Sequence, residues 1–384
     1  MTGSTGSFLS KLGGSRILVR GVNWLGDAVM TTPALVRLRE ACPSARITML
    51  CQSKMSELWQ GHPAVDDVIP IGAGEGAWAV SRRLRAGRFD AAIILPNSPR
   101  SALEVWLAAI PARAGYARPW RNWLLTTAVK AVEGRPRMRK RTPAEIRELL
   151  SGGRDSNGAF GIDGSAHQIH DYLHLVGALG ASRELVDPVL RVSPSEMAAA
   201  REKFFTGLTP AFADSGSAFV GLNPGAEYGP AKRWPLESYV EVARVILNRD
   251  PAIRILVFGG GRDVETASAI VSAVGSRALS LAGRTTLREM MSMMSICRVL
   301  VTNDTGPMHV AAALGVPVVA IFGSTSPELT SPGSPGRFPG HLVRAGVACS
   351  PCFLRECPVD FRCMKLIPPS QVLEAVTSIF VAAP

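Results

Sequence analysis

Three short stretches of this 384-residue chain combine residue types and spacings that could carry chemistry. In VTNDTGPMHVAAALG (301–315) an apolar run leads into Asn303-Asp304, then Thr305-Gly306-Pro307, then a short helical run ended by Gly315. Thr305 suits the cap of that helix and Pro307 its first position. A helix start presents backbone N–H donors and the positive end of a dipole, which together make an anion site. Gly306 lets the main chain approach a phosphate, and His309 falls in the first turn beside it. In NPGAEYGPAKRWP (223–235) a stiff loop presents Lys232 and Arg233 just before the next helix. Cations at a helix start work against its dipole, so neutralising a diphosphate leaving group explains Lys232 better than solvation does. In GVNWLGDAVMTTPAL (21–35) Asp27 follows the first strand-like run. It can cap a helix or accept a proton from an attacking hydroxyl, and neither role excludes the other. A helix starting at Thr32-Pro33 would leave Asp27 in the loop.

Two further groups are less specific. FGGGRDVE (258–265) is glycine-rich without the dinucleotide fingerprint. Cys349, Cys352, Cys357 and Cys363 are spaced C-x2-C-x4-C-x5-C. They could hold structural Zn²⁺ or an iron–sulfur cluster, or stand as reduced thiols in a loop. Seven cysteines in a chain without an export signal do not read as a disulfide framework.

The elements that must position these residues alternate from end to end. RILVRG (16–21), ARITMLC (45–51), DDVIPI (66–71) and FDAAIILP (89–96) read as strands separated by helical patterns. The pattern loosens over 134–165, which holds a basic run and a glycine-rich stretch and reads as loop. A helix is expected over 166–180 and a linker around 183–195. Alternation then restarts with SAFVGLNPG, RILVFGGG, ALSLAG, RVLVTND and VPVVAIFG. Short apolar strands alternating with helices predict an α/β fold with parallel sheets. The expected organisation is a flexible tail at 1–15, one Rossmann-like domain at 16–185 and a second at 186–384.

Composition agrees. The chain is 47% hydrophobic and 19% charged, within the globular range, which excludes global disorder and fibrous repeats. Its apolar runs are too short to span a membrane, and its first residues lack a signal peptide's apolar core, so a cytoplasmic protein is expected. The formal charge is +11, of which +8 precedes residue 190. A basic first lobe suggests an anionic partner. Nucleic acid fits poorly, because only four tyrosines are present and no basic–aromatic stripe or RNA module is seen.

Taken in order, NWLGDAVM, LPNSPRSAL with IPARAGY, NPGAEYGPAKRWP, LAGRTTL and VTNDTGPMHVAAALGVPVVAIFGSTSPE resemble the bacterial lipopolysaccharide heptosyltransferase family, most of all its type II members. The likeness runs from about residue 16 to the C-terminal helix. It implies a GT-B architecture, two Rossmann-like lobes with parallel sheets facing an interdomain cleft. It further implies an inverting transfer of heptose from ADP-heptose to the first heptose of the inner core, with no metal in catalysis. The runner-up readings are a different inner-core acceptor or another nucleotide sugar. By position the resemblance makes Asp27 the general base and gives Lys232, Asp263, Asp304, Thr305, Gly306 and His309 to the donor, with Glu265 an alternative to Asp263. The implied partners are ADP-heptose, a lipid A–Kdo–heptose acceptor and an anionic membrane surface on the cytoplasmic face. Arg135, Arg137, Arg139, Lys140 and Arg141 are the expected contacts to acceptor or membrane. Two features depart from the family pattern: the 152–165 segment reads as an insertion, and only some members carry the four-cysteine loop.

Overall fold

A computed structural model describes residues 8–136, 138–152, 164–208, 212, 217–338 and 340–382. The chain divides into two compact units, Met1–Arg135 with Gln168–Arg191, and Pro136–His167 with Val192–Pro384.

Each unit is built on a six-stranded sheet. The first contains β1 (Arg16–Arg20), β2 (Arg46–Gln52), β3 (Asp67–Ile71), β4 (Ala91–Ile94), β5 (Ala112–Tyr116) and β6 (Thr127–Val129) in the order β3-β2-β1-β4-β5-β6. The second contains β7 (Ala218–Asn223), β8 (Ile253–Val257), β9 (Ala278–Ser280), β10 (Cys297–Asn303), β11 (Val318–Phe322) and β12 (Gly340–Arg344) in the order β12-β11-β10-β7-β8-β9. Counted from its own first strand, each sheet runs 3-2-1-4-5-6, the doubly wound arrangement. Every pairing within both sheets is parallel. The chain order therefore reverses between β1 and β4 in one unit and between β7 and β10 in the other. Sheets of this kind bind ligands beyond the carboxyl ends of those strands.

Parallel strands are covered on both faces, which is why the central ones read as nearly unbroken apolar runs. In the first unit Leu18, Leu50 and Ile94 pack with Val80 and Leu84 of the Ala77–Ala86 helix and Ala102 and Val105 of the Pro99–Leu107 helix. In the second, Val220, Leu222, Val299, Val301 and Ile321 pack with Val242 and Ile246 of the Leu236–Arg249 helix and Val372 and Val376 of the C-terminal helix.

The α/β expectation holds, and the strands named from the sequence are present. Three strands were not legible. β6 and β12 are edge strands, short or polar as such strands are. β5 reads ARAGY because Gly115 must admit Arg121: a Cβ at Gly115 would lie 2.7 Å from the arginine's Nη2. The 134–165 stretch also differs from the expected loop. It contains the helix Pro143–Ser151, opened by a capping box in which Thr142 and Glu145 satisfy each other's backbone N–H groups. Its residues from Pro136 to His167 belong to the second unit, and the main boundary falls at 191/192 rather than 185/186. Residues 153–163, most of the segment read as an insertion, lie outside the described residues.

Candidate functional site

In the first unit the chain leaves β1 and turns into a short helix, Leu25–Met30, held down by buried Ala28, Val29 and Met30. Its N-cap is Trp24, in extended conformation with no side-chain cap bond. Asp27 therefore sits neither at the cap nor in the loop but in the first turn, partly exposed. A carboxylate there is favoured by the helix dipole. The hydroxyls of Thr31 and Thr32 donate back to the carbonyls of Ala28 (2.6 Å) and Val29 (2.8 Å), at the junction with the following helix Thr32–Ala41. The wholly buried Tyr172 phenol is held well above its usual pKa, first by burial and then by the negative charge of Asp27. The tyrosine thus stays protonated beside the carboxylate, where it accepts from Gln168 at 2.9 Å.

At the same strand end lies a buried charge network absent from the sequence reading. Arg20 Nε donates to Glu104 at 2.8 Å, and Arg100 Nε donates to the other oxygen of that carboxylate at 3.1 Å. Glu104 is fully buried and Arg20 nearly so. Such a pair is costly to break, because a lone buried charge lacks compensation.

In the second unit the switch point between β7 and β10 gathers most of the predicted donor residues. Lys232 ends a 3₁₀ turn, Pro230–Lys232, and its ammonium donates to Asp304 Oδ2 at 2.6 Å. The Thr325 hydroxyl donates to the same oxygen at 2.5 Å. Asp304 is buried, so this carboxylate anchors two loops. Thr305 is the N-cap of the helix Gly306–Ala313, but its side chain makes no cap bond, and Gly306, not Pro307, is the first helical residue. At that helix start Pro307 carries no N–H and the Met308 N–H donates to Thr305 O at 3.1 Å, so the start offers its positive dipole end and the amides of Thr305 and Gly306. His309 is buried rather than on the surface. Burial pushes its pKa down to about 4; His167 and Lys232 push the same way, and Asp304 opposes them. At neutral pH it is an uncharged hydrogen-bonding group.

Asp263 is placed differently. It accepts the Gly260 N–H at 2.9 Å, and Arg233 stands 3.9 Å away. A Cβ on Gly225 would fall 2.5–2.6 Å from its carboxyl atoms, so the absence of a side chain there lets the 223–235 loop close on Asp263. Glu265 is exposed on the next helix.

The cysteine loop braces the two site loops. Cys352 and Phe353 N–H groups donate to Ser324 O (3.1 and 2.7 Å), and Ser350 Oγ donates to Gly323 O at 2.6 Å. On the other side Ala231 N–H donates to Arg355 O (3.0 Å), Tyr228 OH to Phe353 O (2.8 Å), and Arg355 Nε to Tyr228 O (2.6 Å). Gly229 adopts φ +154°, and a Cβ there would strike Arg355 O at 2.5 Å. The Tyr228 ring lies 5.1 Å from the Lys232 ammonium and 5.4 Å from the Arg355 guanidinium. Burial raises the pKa of the Cys349, Cys352 and Cys363 thiols, that of Cys363 to about 12. Among the described residues no group of three or more His, Cys, Asp or Glu is placed to hold a metal ion.

Three members of the basic run have partners within the fold. Arg135 pairs with Asp171, Arg139 donates to Glu145 at 2.8 Å, and Arg141 donates from its side chain to Ala348 O and from its N–H to Cys352 O. Lys140 is exposed, and Arg137 lies outside the described residues. Thr325, Tyr228 and Glu104 were missed by sequence reasoning. Only Thr325 had a usable signal, a hydroxyl three residues past the buried strand VVAIF.

The family model for glycosyltransferase family 9 (heptosyltransferase) matches residues 156–361. Lipopolysaccharide heptosyltransferase 2 of Escherichia coli (strain K12) is 32% identical over 327 residues, covering 83% of this chain and 85% of that protein. The Salmonella typhimurium protein of the same name is 31% identical over 331 residues, with the same coverage. Among solved structures, E. coli ADP-heptose lps heptosyltransferase II superposes with a TM-score of 0.74 at 28% identity, covering 95% of this chain and 98% of that one. The α/β fold with two Rossmann-like sheets is thus that of the GT-B heptosyltransferases.

Proposed function

The chain belongs to the heptosyltransferases of glycosyltransferase family 9, and from that premise we propose that it transfers L-glycero-D-manno-heptose from ADP-heptose to the first heptose of the lipopolysaccharide inner core, with inversion. The observation that carries this reading is the cluster at the β7/β10 switch point: Lys232 and Thr325 on Asp304, beside an uncapped helix start.

The roles follow from charge. The donor's diphosphate gains negative charge as the anomeric C–O bond breaks. Lys232 and the amides at Thr305 and Gly306 stabilise that charge, and Asp304 with Thr325 holds the ammonium in place. The neutral His309 serves as a hydrogen-bond partner rather than a second cation. Asp27 takes the proton of the attacking hydroxyl as the new C–O bond forms, and ADP leaves from the opposite face of the sugar. Asp263 lines the donor's sugar-nucleoside side. This chemistry draws its positive charge from the protein and asks for no metal. An acceptor built on lipid A places the work at the cytoplasmic face of an anionic membrane. Among the described residues no helix is long and apolar enough to cross one.

The test is to incubate the protein with ADP-heptose and lipid acceptors bearing either no heptose or one heptose, and to weigh the products. A gain of one heptose only on the mono-heptosylated acceptor, with the anomeric configuration inverted by NMR, is expected. Gain on the heptose-free acceptor would move the enzyme to the other inner-core position. No gain with ADP-heptose but gain with another nucleotide sugar would change the donor.

A further inference from the structure

The chain has seven tryptophans. Trp59 and Trp234 are buried, whereas Trp24, Trp78, Trp106, Trp120 and Trp123 are 41–87% exposed, all five in the first unit. Four of the five lie between residues 77 and 130, and two of these, Trp106 and Trp123, are in ring contact. Arg85 lies 6.0 Å from the Trp78 ring and donates from Nε and Nη2 to the carbonyl of Leu107, at the end of the neighbouring helix. Trp106, one residue before, meets Trp123 edge to face with centroids 5.6 Å apart. Trp120, three residues upstream of Trp123, is the most exposed of all and sits at φ +66°. That is a strained conformation for a residue with a Cβ, adopted here with its indole left in water.

The same stretch holds the unit's charge. The first unit has nineteen basic and twelve acidic residues, of which residues 77–130 contribute nine and two, leaving the remainder balanced at ten and ten. Part of the surplus is answered within the fold: Glu104 is held by Arg20 and Arg100, Arg83 pairs with Glu75 at 2.8 Å, and Arg121 is buried. Arg82, Arg83, Arg85, Arg88 and Lys130 are exposed.

We propose that this tryptophan- and arginine-bearing face of the first unit docks on an anionic lipid bilayer. Exposed indoles in contact mark an interaction surface, and an indole, apolar with one N–H donor, is at home at headgroup depth. The local cation surplus is complementary to anionic lipid. It also disfavours a second copy of the chain, whose like-charged face would repel this one. The docking accords with the lipid-borne acceptor of the proposed transfer and rests on it only there, since binding to sugar-free lipid is measured without any transfer.

The experiment uses the full chain with sugar-free vesicles of phosphatidylglycerol and phosphatidylethanolamine, and with neutral phosphatidylcholine vesicles as the comparison. The protein should float with the anionic vesicles, with its tryptophan emission shifted to shorter wavelength, and should be released by ~1 M salt. Replacing Trp78, Trp106, Trp120 and Trp123 together by Ser should lower partitioning by about tenfold or more, with the melting temperature and transfer to a short, delipidated acceptor retained. Should that variant fail to fold, Arg82→Glu with Arg88→Glu carries the test and should also weaken anionic binding. Failure of the wild-type protein to bind, or variants that partition like it, would overturn the proposal. So would a loss of soluble-acceptor transfer equal to the loss of partitioning, which would make the indoles a glycan platform, or a dimer that the Ser variant dissolves. If vesicle binding holds while no heptose is transferred, only the reading of the chemistry falls.

Discussion

The two units use one topology for two kinds of chemistry. At the β1/β4 switch point of the first, Asp27 stands partly exposed in the first turn of a helix whose buried face is apolar. The charges near it that are locked away, Arg20 and Glu104, neutralise each other below the strand end. At the β7/β10 switch point of the second, the charged groups are themselves the framework: Lys232, Asp304 and Thr325 join two loops through one carboxylate oxygen. The contrast teaches that chemistry and stability are separable at the first site and coupled at the second. A base has to be accessible and changeable in protonation, whereas a group that neutralises a diphosphate has to be held still before the charge develops.

The largest expected effect sharpens the separable side. Asp27→Asn keeps size and helix compatibility and removes basicity, so turnover should fall by roughly 10²–10⁴ while the melting temperature and ADP affinity change little. Steady-state kinetics beside calorimetry reads both; an active Asn variant would leave Asp27 a merely structural first-turn residue. Lys232→Ala tests the coupled side. Turnover should drop by about 10²–10³, and the buried Asp304 carboxylate would lose its cation at a cost on the order of 3 kcal/mol of stability. If this variant melts like the wild type, the two sites do not differ in the way described.

A smaller effect is shared, because each unit holds a buried histidine whose pKa is lowered, His62 in the first and His309 in the second. Burial lowers the His62 pKa to about 4, with Arg191 adding to it, and His309 is lowered to about 4 as well. A histidine with a folded pKa below its unfolded value of ~6.5 binds fewer protons folded than unfolded in the interval between them. Stability is therefore full above about pH 6.5 and is lost as pH falls toward 4, by about 3 kcal/mol at most for each group. Unfolding midpoints measured across that interval should slope downward into acid, and His62→Gln or His309→Gln should each flatten part of the slope. An unchanged slope in either variant would show that its histidine is not held neutral. The smallest effect is Tyr228→Phe, which removes the 2.8 Å bond to Phe353 O but keeps the ring beside Lys232. About 1 kcal/mol of stability should go, with turnover within a few-fold of wild type. A collapse of turnover would give the phenol a role in the donor site.

Much of this was readable in advance. Asp27 and Asp304 were picked out because they follow apolar strands at the end of the sheet where ligands bind, and Lys232 because a cation just before a helix start works against the dipole. The bracing role of the cysteine loop was not readable, since its hydrogen bonds, from backbone N–H groups and from the side chains of Ser350, Tyr228 and Arg355, end on backbone carbonyls in loops distant in sequence. The internal partners of the basic run were unreadable for a related reason. Charge is visible in sequence, but the partners Asp171, Glu145 and the Ala348 carbonyl that engage it are set by folding.

What the sequence determined by itself was periodicity: short apolar strands alternating with helices, which leaves a parallel sheet as the simplest way to bury both faces, and charged residues at the strand ends. Which strands stand next to which, and therefore where each sheet reverses its order, was decided only in three dimensions. So was the sharing of one Asp304 oxygen by Lys232, 72 residues away, and Thr325, 21 residues away. Local propensity acts over a few neighbouring residues, whereas the pairing of distant groups depends on packing that no short stretch of the chain contains.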